Sequence, residues 1–318
     1  MSTPQISSIT IPAQDNPSQH PTPEFFLKDQ LWIGQFQAMA SDCQVLLEGL
    51  NQKQAEEFLT LAAIETWRIE HKFSRYKTGN VMDKINHAYH QTISVDEETA
   101  ALFNFADQCY QLSDGLFDVT AGVLRRIWRF DGSDNIPTSQ QISNILPFIG
   151  WTKVQWAAPY IQLSEGMELD LGGIGKEYAV DKVCLLLEKQ AEKFSNISIL
   201  INFGGDLACS GPRLDGTAWD VAVENYQHEK HAALNVQLSH GGIATSGDSR
   251  RFLLEDGVRY SHILNPKTGQ SITDAPHSVS VAAPSCIQAG MLSTIAMLQG
   301  KHAEAFLKAQ DADYWIQS

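Results

Sequence analysis

Two stretches in the first half of the chain repeat apolar residues at the spacing of one helix face. The first predicts a helix from about Gln52 to His71. Its apolar positions are Phe58, Leu61, Ile64 and Trp67. The second follows Ser94 and Glu97, which have the spacing of a capping box, and predicts a helix that ends at Leu112. Both helices are amphipathic and are expected to serve as scaffold.

Alternating apolar and polar positions indicate strands, most of them in the second half of the chain. A first strand is expected from Phe36 to Leu47. Three further strands are predicted around Ile199, Val221 and Val236. The segment 252–264 predicts a hairpin, because its Asp-Gly pair at 256–257 is a favoured two-residue turn.

The last long apolar segment predicts a helix from Cys286 to Gln299, with Gly300 as its C-cap, and another helix begins near His302. Helices and strands do not alternate strictly along the chain. The pattern therefore predicts an α+β fold in which mixed β-sheets are flanked by helices. Since no convincing linker interrupts residues 25–318, they are expected to form a single domain.

Residues 1–24 differ from the rest and are expected to be a disordered leader. They contain five prolines among Ser, Thr and Gln, and they lack the basic and apolar segments of a signal peptide. No run of about eighteen apolar residues occurs, so membrane insertion is not expected. The five cysteines include no C-x-x-C pair, which predicts reduced, buried thiols and a cytoplasmic location.

The charge balance narrows the classes of ligand. The chain has 318 residues and a formal net charge of -14, which argues against a nucleic-acid partner, because such proteins bind largely through basic contacts to phosphates. A phosphate site would have to be locally electropositive. The candidate cations are Arg75, Lys176, Arg250, Arg251 and Lys267.

The segment from Leu169 to Asp181 joins an apolar and acidic stretch to a Gly-Gly turn and then to a helix that opens with Lys176. Adjacent glycines let backbone N–H groups approach a phosphate, and a helix N-terminus adds partial positive charge. The spacing matches neither a dinucleotide fingerprint nor a P-loop. By itself it indicates that a strand, a tight turn and a helix meet here, with or without a nucleotide.

Five other segments pair small or turn-forming residues with polar groups. They are 73–76 (FSRY), 113–120, 202–206, 244–248 and 260–269 (YSHILNPKTG). In this order, together with the Gly-Gly turn, they resemble the ApbE family of flavin transferases over about Gln35 to Gly300. The resemblance implies the ApbE-like fold and an enzyme that uses FAD to attach FMN, through a phosphoester bond, to a threonine or serine of a partner redox protein, releasing AMP.

The resemblance also implies which residues contact the cofactor. By position these are Met39, Tyr76, Leu116, Phe117, Asp118, Asp170 and Lys176. A thioether such as that of Met39 packs well on an aromatic ring, and Lys176 can neutralise a pyrophosphate. His262 is the expected general base for the acceptor hydroxyl, because an imidazole titrates near neutral pH. Without the resemblance, Met39 would be assigned to the core and His262 to a structural position.

The family's magnesium site is altered in this sequence. The resemblance implies binding through the backbone carbonyl of Gly173 and through an Asp-x-x-x-Thr pair, whose threonine is Thr294; Gly290 stands where the aspartate is usual. Magnesium is therefore expected to bind weakly, through another acid, or mainly through the phosphates. Gly290→Asp is expected to strengthen binding, provided that no neighbouring backbone packs against the glycine. Glu177 and Asn265 also depart from the family pattern, where Gly and Asp are usual.

Three functions compete on this evidence. The favoured one is the FAD-dependent transferase. The alternative is a catalytically degenerate FAD- or FMN-binding protein that acts as a flavin carrier or scaffold, and the missing acid at Gly290 favours it. A nicotinamide oxidoreductase would need a G-x-G-x-x-G turn followed by an acidic residue, and the chain lacks that fingerprint.

Overall fold

An eight-stranded antiparallel sheet forms the centre of the fold, with helices on one face and a two-stranded ribbon on the other. This structure is a computed structural model. It describes residues 20–130, 135–224, 232–247, 252–255 and 258–318. The predicted α+β class is confirmed, and the strand pairs within the described residues are antiparallel.

The helices and strands are numbered in chain order. The α-helices are α1 (Gln52–Phe73), α2 (Val81–His87), α3 (Glu97–Leu112), α4 (Ser139–Ile145), α5 (Gly175–Ala191), α6 (Cys286–Leu298) and α7 (Ala303–Ala309). The strands are β1 (Glu24–Lys28), β2 (Leu31–Ala38), β3 (Ser41–Glu48), β4 (Ile93–Ser94), β5 (Gln155–Ala157), β6 (Tyr160–Gln162), β7 (Ser198–Phe203), β8 (Asp206–Cys209), β9 (Trp219–Glu224), β10 (Ala232–Leu238), β11 (Gly241–Gly247), β12 (Phe252–Glu255), β13 (Val258–Ser261), β14 (Ser278–Ala283) and β15 (Asp313–Gln317). The main sheet has the order β1-β2-β3-β7-β8-β11-β14-β15.

Strand periodicity divides the core between the two faces of this sheet. In β7, Ile199 and Ile201 point into the cluster formed with α1, α5 and α6, whereas Leu200 between them packs against the β9–β10 ribbon. The ribbon contributes Trp219 and Val221 to that second cluster. Burial of both faces explains why β7 is apolar at almost every position.

The predicted first strand is wrong in one respect, because the chain reverses in its middle. Strands β2 and β3 form a hairpin whose two turn residues, Met39 and Ala40, have φ of 52° and 56°. Glycine or asparagine normally signals such a turn, and neither is present, so the sequence offers no local cue. The hairpin places Met39 at its tip.

Two local predictions at helix starts are also corrected. Helix α3 is capped by Asp96, whose side chain accepts a hydrogen bond from the Thr99 amide at 2.8 Å, and not by the expected capping box of Ser94 and Glu97. Leu169 is in no strand. Instead, the Asn86 side chain accepts from the Leu169 amide at 2.8 Å and donates to its carbonyl at 3.0 Å, as a neighbouring strand would.

Other predictions are confirmed. The helix predicted from about Gln52 to His71 is α1, and β12 and β13 pair as the predicted hairpin, whose turn at 256–257 lies outside the described residues. Gly300 follows α6 with φ of 58°. All five cysteines are free and buried. In the part of the chain that the structure describes, no helix is long and apolar enough to cross a membrane.

The predicted leader lies mostly outside the described residues, which begin at residue 20. The His20 ring stacks on the Trp67 indole of α1 with a centroid distance of 4.2 Å, and Glu24 already belongs to β1. The chain is therefore ordered against α1 a few residues before the expected boundary.

A half-buried ionic network joins three helices. The Glu98 carboxylate of α3 accepts hydrogen bonds from Arg68 and Lys72 of α1, both at 2.6 Å, and from the Tyr178 hydroxyl of α5 at 2.7 Å. Burial of Glu98 opposes its ionisation, but these donors outweigh that effect and lower its pKa to about 2. Helix α5, which follows the Gly-Gly turn, is thereby tied to the scaffold helices α1 and α3.

This network predicts a specific acid sensitivity. Because the Glu98 pKa is lowered by folding, its stabilisation is fully present above the ordinary value of 4.5 and is lost as the pH falls towards 2. Urea unfolding at several pH values should show that Glu98→Gln lacks up to about 3 kcal/mol of the acid-dependent loss seen in the wild type. Glu97→Gln, which changes an exposed neighbour on α3, should keep the wild-type pH dependence.

Candidate active site

The Gly-Gly turn leads into a helix whose first amides lack a side-chain cap. Helix α5 begins at Gly175, and its N-cap residue, Ile174, makes no capping hydrogen bond through its side chain. Gly172 and Gly173 are exposed. Helix N-termini without a cap leave N–H groups available to an anion, so this end of α5 can receive a phosphate.

Lys176, in the first turn of α5, forms an ion pair with Asp206 at the start of β8. Its Nζ lies 2.9 Å from Asp206 Oδ2, and the Asp206 side chain is only 3% exposed. Burial raises the pKa of Asp206 and works against the charge of Lys176, but the Asp206 carboxylate outweighs that effect and raises the Lys176 pKa. The ammonium is therefore held charged at the helix N-terminus.

Glu177, the next residue, fills the space beside Gly290 on α6. A Cβ at Gly290 would lie 2.5 Å from Glu177 Cγ and 2.9 Å from its Oε1. The Oε2 atom of Glu177 is buried and has no hydrogen-bond partner among the described residues, although the residue as a whole is partly exposed. Burial, reinforced by the neighbouring Asp206 charge, raises the pKa of Glu177 to about 8.

Hydroxyl groups surround the same part of α6. The Ser246 hydroxyl lies 2.9 Å from the Oγ1 atom of Thr294 and 2.9 Å from the Oγ atom of Ser293. Ser293 also donates to the Gly290 carbonyl at 3.1 Å. Thr294 follows Gly290 by one helical turn, so the two positions share a face. The face of α6 next to Glu177 is therefore rich in oxygen atoms.

Asp170 and Tyr76 meet through Arg75. The Arg75 guanidinium forms an ion pair with Asp170, donates to the Tyr76 hydroxyl at 2.7 Å and lies over the Tyr76 ring at 4.8 Å. The second oxygen of Asp170 accepts from the Gly172 amide at 2.9 Å. Tyr76 itself is 78% exposed. Asp170 thus organises the Gly-Gly turn, and the ring of Tyr76 is presented to solvent.

The segment 116–118 packs below the turn. Phe117 is buried, and its ring would lie 3.2 Å from a Cβ at Gly173. Both oxygens of Asp118 accept internal hydrogen bonds, from the Thr120 amide and hydroxyl and from the Trp151 amide at 2.9 Å. In this structure Asp118 holds the loop, whereas a carboxylate facing a ligand was expected.

Leu116 lines a cavity of about 450 Å³ with residues of the segment after β13. The other lining residues are Asn265, Thr268, Ser271, Ile272, Thr273, Asp274, Leu298, Gln299 and Gly300. Asn265 accepts hydrogen bonds from the Lys267 and Thr268 amides at 2.9 and 3.3 Å. An asparagine oxygen forms this turn as an aspartate would, which accounts for the tolerated departure.

Met39 and His262 lie on separate elements, the β2–β3 hairpin and the segment after β13. The hairpin tip bearing Met39 is half-buried, and a Cβ at Gly204 would lie 2.9 Å from Ser41 Oγ and 3.6 Å from Lys176 Nζ, so the end of this hairpin is close to Lys176. His262 is exposed immediately after β13, with its ring edge-on to Phe130 at 6.3 Å. The expected cations Arg250 and Arg251 lie outside the described residues.

The structure thus shows two groups of predicted residues. Asp170 and Tyr76 meet through Arg75 beside the Gly-Gly turn, and Thr294 lies one helical turn from Gly290, on which Glu177 packs. It also shows contacts that the sequence did not predict, namely the Arg75 ion pair and the placement of Glu177 against Gly290. The sequence marked Arg75 as a candidate cation within the FSRY segment, but nothing in it indicated that Asp170 would be its partner. Over the described residues, no group of three or more His, Cys, Asp or Glu side chains is placed to hold a metal ion.

Comparisons with known proteins identify the family of this chain. The family model described as "ApbE family" matches residues 39–316. A relative from Vibrio cholerae named FAD:protein FMN transferase is 28% identical over 73% of this chain and 70% of its own length. A relative of the same name from Escherichia coli K12 is 26% identical over 89% of this chain and 82% of its own length.

Solved structures share the fold. An ApbE protein from Thermotoga maritima is 29% identical, with a TM-score of 0.81 over 90% of this chain and 94% of that one. The apo form of the Pseudomonas stutzeri flavinyl transferase ApbE is 24% identical, with a TM-score of 0.77 over 93% of this chain and 90% of that one. The family match covers far more than half of the sequence, and the chain belongs to the ApbE family.

Proposed function

We propose that this protein is an FAD-dependent transferase that attaches FMN to a threonine or serine of a partner redox protein. The proposal rests on the uncapped N-terminus of α5, where Asp206 holds Lys176 charged and the next residue, Glu177, packs against α6. This arrangement suits a pyrophosphate, and it lies within the family match. Five buried free thiols support a cytoplasmic location.

In the proposed reaction, the acceptor hydroxyl oxygen attacks the phosphorus on the FMN side of FAD. A new P–O bond forms to the acceptor, the P–O bond of the pyrophosphate bridge breaks, and AMP leaves with that electron pair. The hydroxyl proton passes to a base. Such phosphoryl transfer depends mainly on positioning and on neutralising charge at the phosphates.

The described residues divide these tasks. Lys176 and the α5 amides would bind the pyrophosphate, while Met39, Tyr76 and the 116–118 segment would position the flavin. Asp170 and Asp118 would act by ordering the loops, given their internal hydrogen bonds. His262, exposed after β13, would accept the proton from an acceptor arriving from solvent.

Magnesium fits this site, because the buried Oε2 atom of Glu177 has no partner among the described residues and a hard cation prefers oxygen ligands. The Gly173 carbonyl and Thr294 would help to hold it. When bound, it would neutralise charge on the phosphates. The flavin-carrier alternative rested on the missing acid at Gly290, and Glu177 now supplies a carboxylate in that space.

The direct test uses the full chain, FAD, magnesium and the acceptor protein of one of the matched relatives. Transfer predicts a mass increase equal to FMN minus water, with stoichiometric release of AMP. A flavin carrier would bind FAD without releasing AMP, and that result would overturn the transferase proposal.

The donor assignment predicts tighter binding of FAD than of FMN. Lys176→Met should weaken FAD binding about tenfold or more, because a charge-assisted contact to phosphate is lost. Fluorescence titration measures both ligands, and Lys182→Met, an exposed lysine on the same helix, is the control. Equal affinities of the wild type for FAD and FMN would contradict the assignment of FAD as donor.

The proton-transfer assignment predicts that His262→Asn slows transfer about 100- to 10,000-fold while FAD affinity stays nearly constant. His240→Asn, another exposed histidine, should leave both quantities unchanged. Single-turnover transfer and FAD titration on the same samples separate the two effects. Parallel losses of rate and affinity would identify His262 as a structural residue.

A further inference from the structure

Gly290 is a glycine in the interior of α6, where most residues would stabilise the helix better. Its neighbour explains it. The side chain of Glu177 packs directly on the Gly290 Cα, so a Cβ there would lie 2.5 Å from Cγ and 3.0 Å from Cδ of Glu177. An aspartate at 290 and a glutamate at 177 would therefore compete for one space.

Glu177 places a carboxyl group in that space, and one oxygen of this group lacks a hydrogen-bond partner among the described residues. Its Oε2 atom is buried and accepts no hydrogen bond from the described residues. The nearest cation, Lys176, is already paired with Asp206 at 2.9 Å. A buried carboxylate oxygen without a partner is costly, so this group is suited to a ligand that supplies positive charge.

The surroundings indicate the chemical class of that ligand. Glu177 packs on Gly290, which precedes Thr294 by one helical turn, and the Thr294 hydroxyl is hydrogen-bonded to Ser246. Carboxylate and hydroxyl oxygens are hard donors, which favour magnesium or manganese over softer metals. Among the described residues of this region, Lys176 and Arg75 are both already paired with a carboxylate, which leaves little positive charge to neutralise a pyrophosphate.

We propose that Glu177 is the acidic metal ligand of this protein, supplied from α5 in place of the aspartate that position 290 lacks. With Thr294 it would bind the divalent cation that accompanies the FAD pyrophosphate, and this assignment rests on the proposed transferase function. The two departures from the family pattern, Glu177 and Gly290, are then a single compensated exchange. The carboxylate has moved from one helix to the other across their contact.

The first test measures Mn²⁺ binding to the full chain by electron paramagnetic resonance, with and without FAD and with no acceptor protein. Glu177→Gln keeps the shape of the side chain and removes its ability to ionise, and it should weaken Mn²⁺ binding at least tenfold. Glu188→Gln, which alters a half-buried glutamate farther along α5, should bind Mn²⁺ as the wild type does. Thermal unfolding without metal verifies that each variant is folded.

The second test exchanges the carboxylate. Gly290→Asp alone should weaken Mn²⁺ binding or lower the melting temperature, because the new Cβ collides with Glu177. This reverses the expectation drawn from the sequence. The double variant Glu177→Gly with Gly290→Asp removes the collision and should bind Mn²⁺ within a few-fold of the wild type.

The outcomes separate this assignment from the proposed function. Unchanged Mn²⁺ affinity in folded Glu177→Gln, no Mn²⁺ binding by the wild type even with FAD, or a folded double variant that fails to bind would each overturn the ligand assignment. If Glu177→Gln loses Mn²⁺ while the wild type releases no AMP, the ligand assignment stands and the transferase proposal falls.

Discussion

The geometry of the candidate site depends on one contact, the binding of the start of α6 by a side chain of α5. The Asp181 carboxylate accepts hydrogen bonds from the Cys286 and Ile287 amides, both at 2.8 Å. Burial raises the pKa of Asp181, and these two amides oppose the rise. The anchor is one turn beyond Glu177 and helps to set how closely α5 approaches α6. At that separation the side chain of Glu177 leaves space only for a glycine at 290.

Charge is the second constraint on the site. Lys176 and Arg75 provide two formal positive charges, whereas Asp170, Glu177, Asp181 and Asp206 bring four carboxylates into the same region. Asp206 keeps Lys176 charged, and Arg75 is ion-paired with Asp170. A pyrophosphate entering such a site gains from a divalent cation, since the chain as a whole carries a net charge of -14. A divalent cation would therefore serve two needs at once, because it would both pair with the buried Glu177 oxygen and add positive charge beside the phosphates.

The departures from the family pattern at Asn265 and Gly290 differ in whether neighbouring residues of the same segment explain them. Asn265 keeps the acceptor oxygen that closes its turn onto the Lys267 and Thr268 amides, so the exchange of Asp for Asn is explained locally. The exchange at Gly290 is explained only by a residue on another helix.

The sequence by itself determined the α+β class, the courses of α1 and α6 and the β12–β13 hairpin, because periodicity and turn residues act over a few positions. It also marked Lys176, His262 and Thr294 through their motifs. The tertiary structure decided the reversal at Met39, the clasp of Leu169 by Asn86, the pairing of Lys176 with Asp206 and the place of Glu177 beside Gly290. Each of these joins residues whose conformations or neighbours carry no local signal, and only packing of distant segments brings them together.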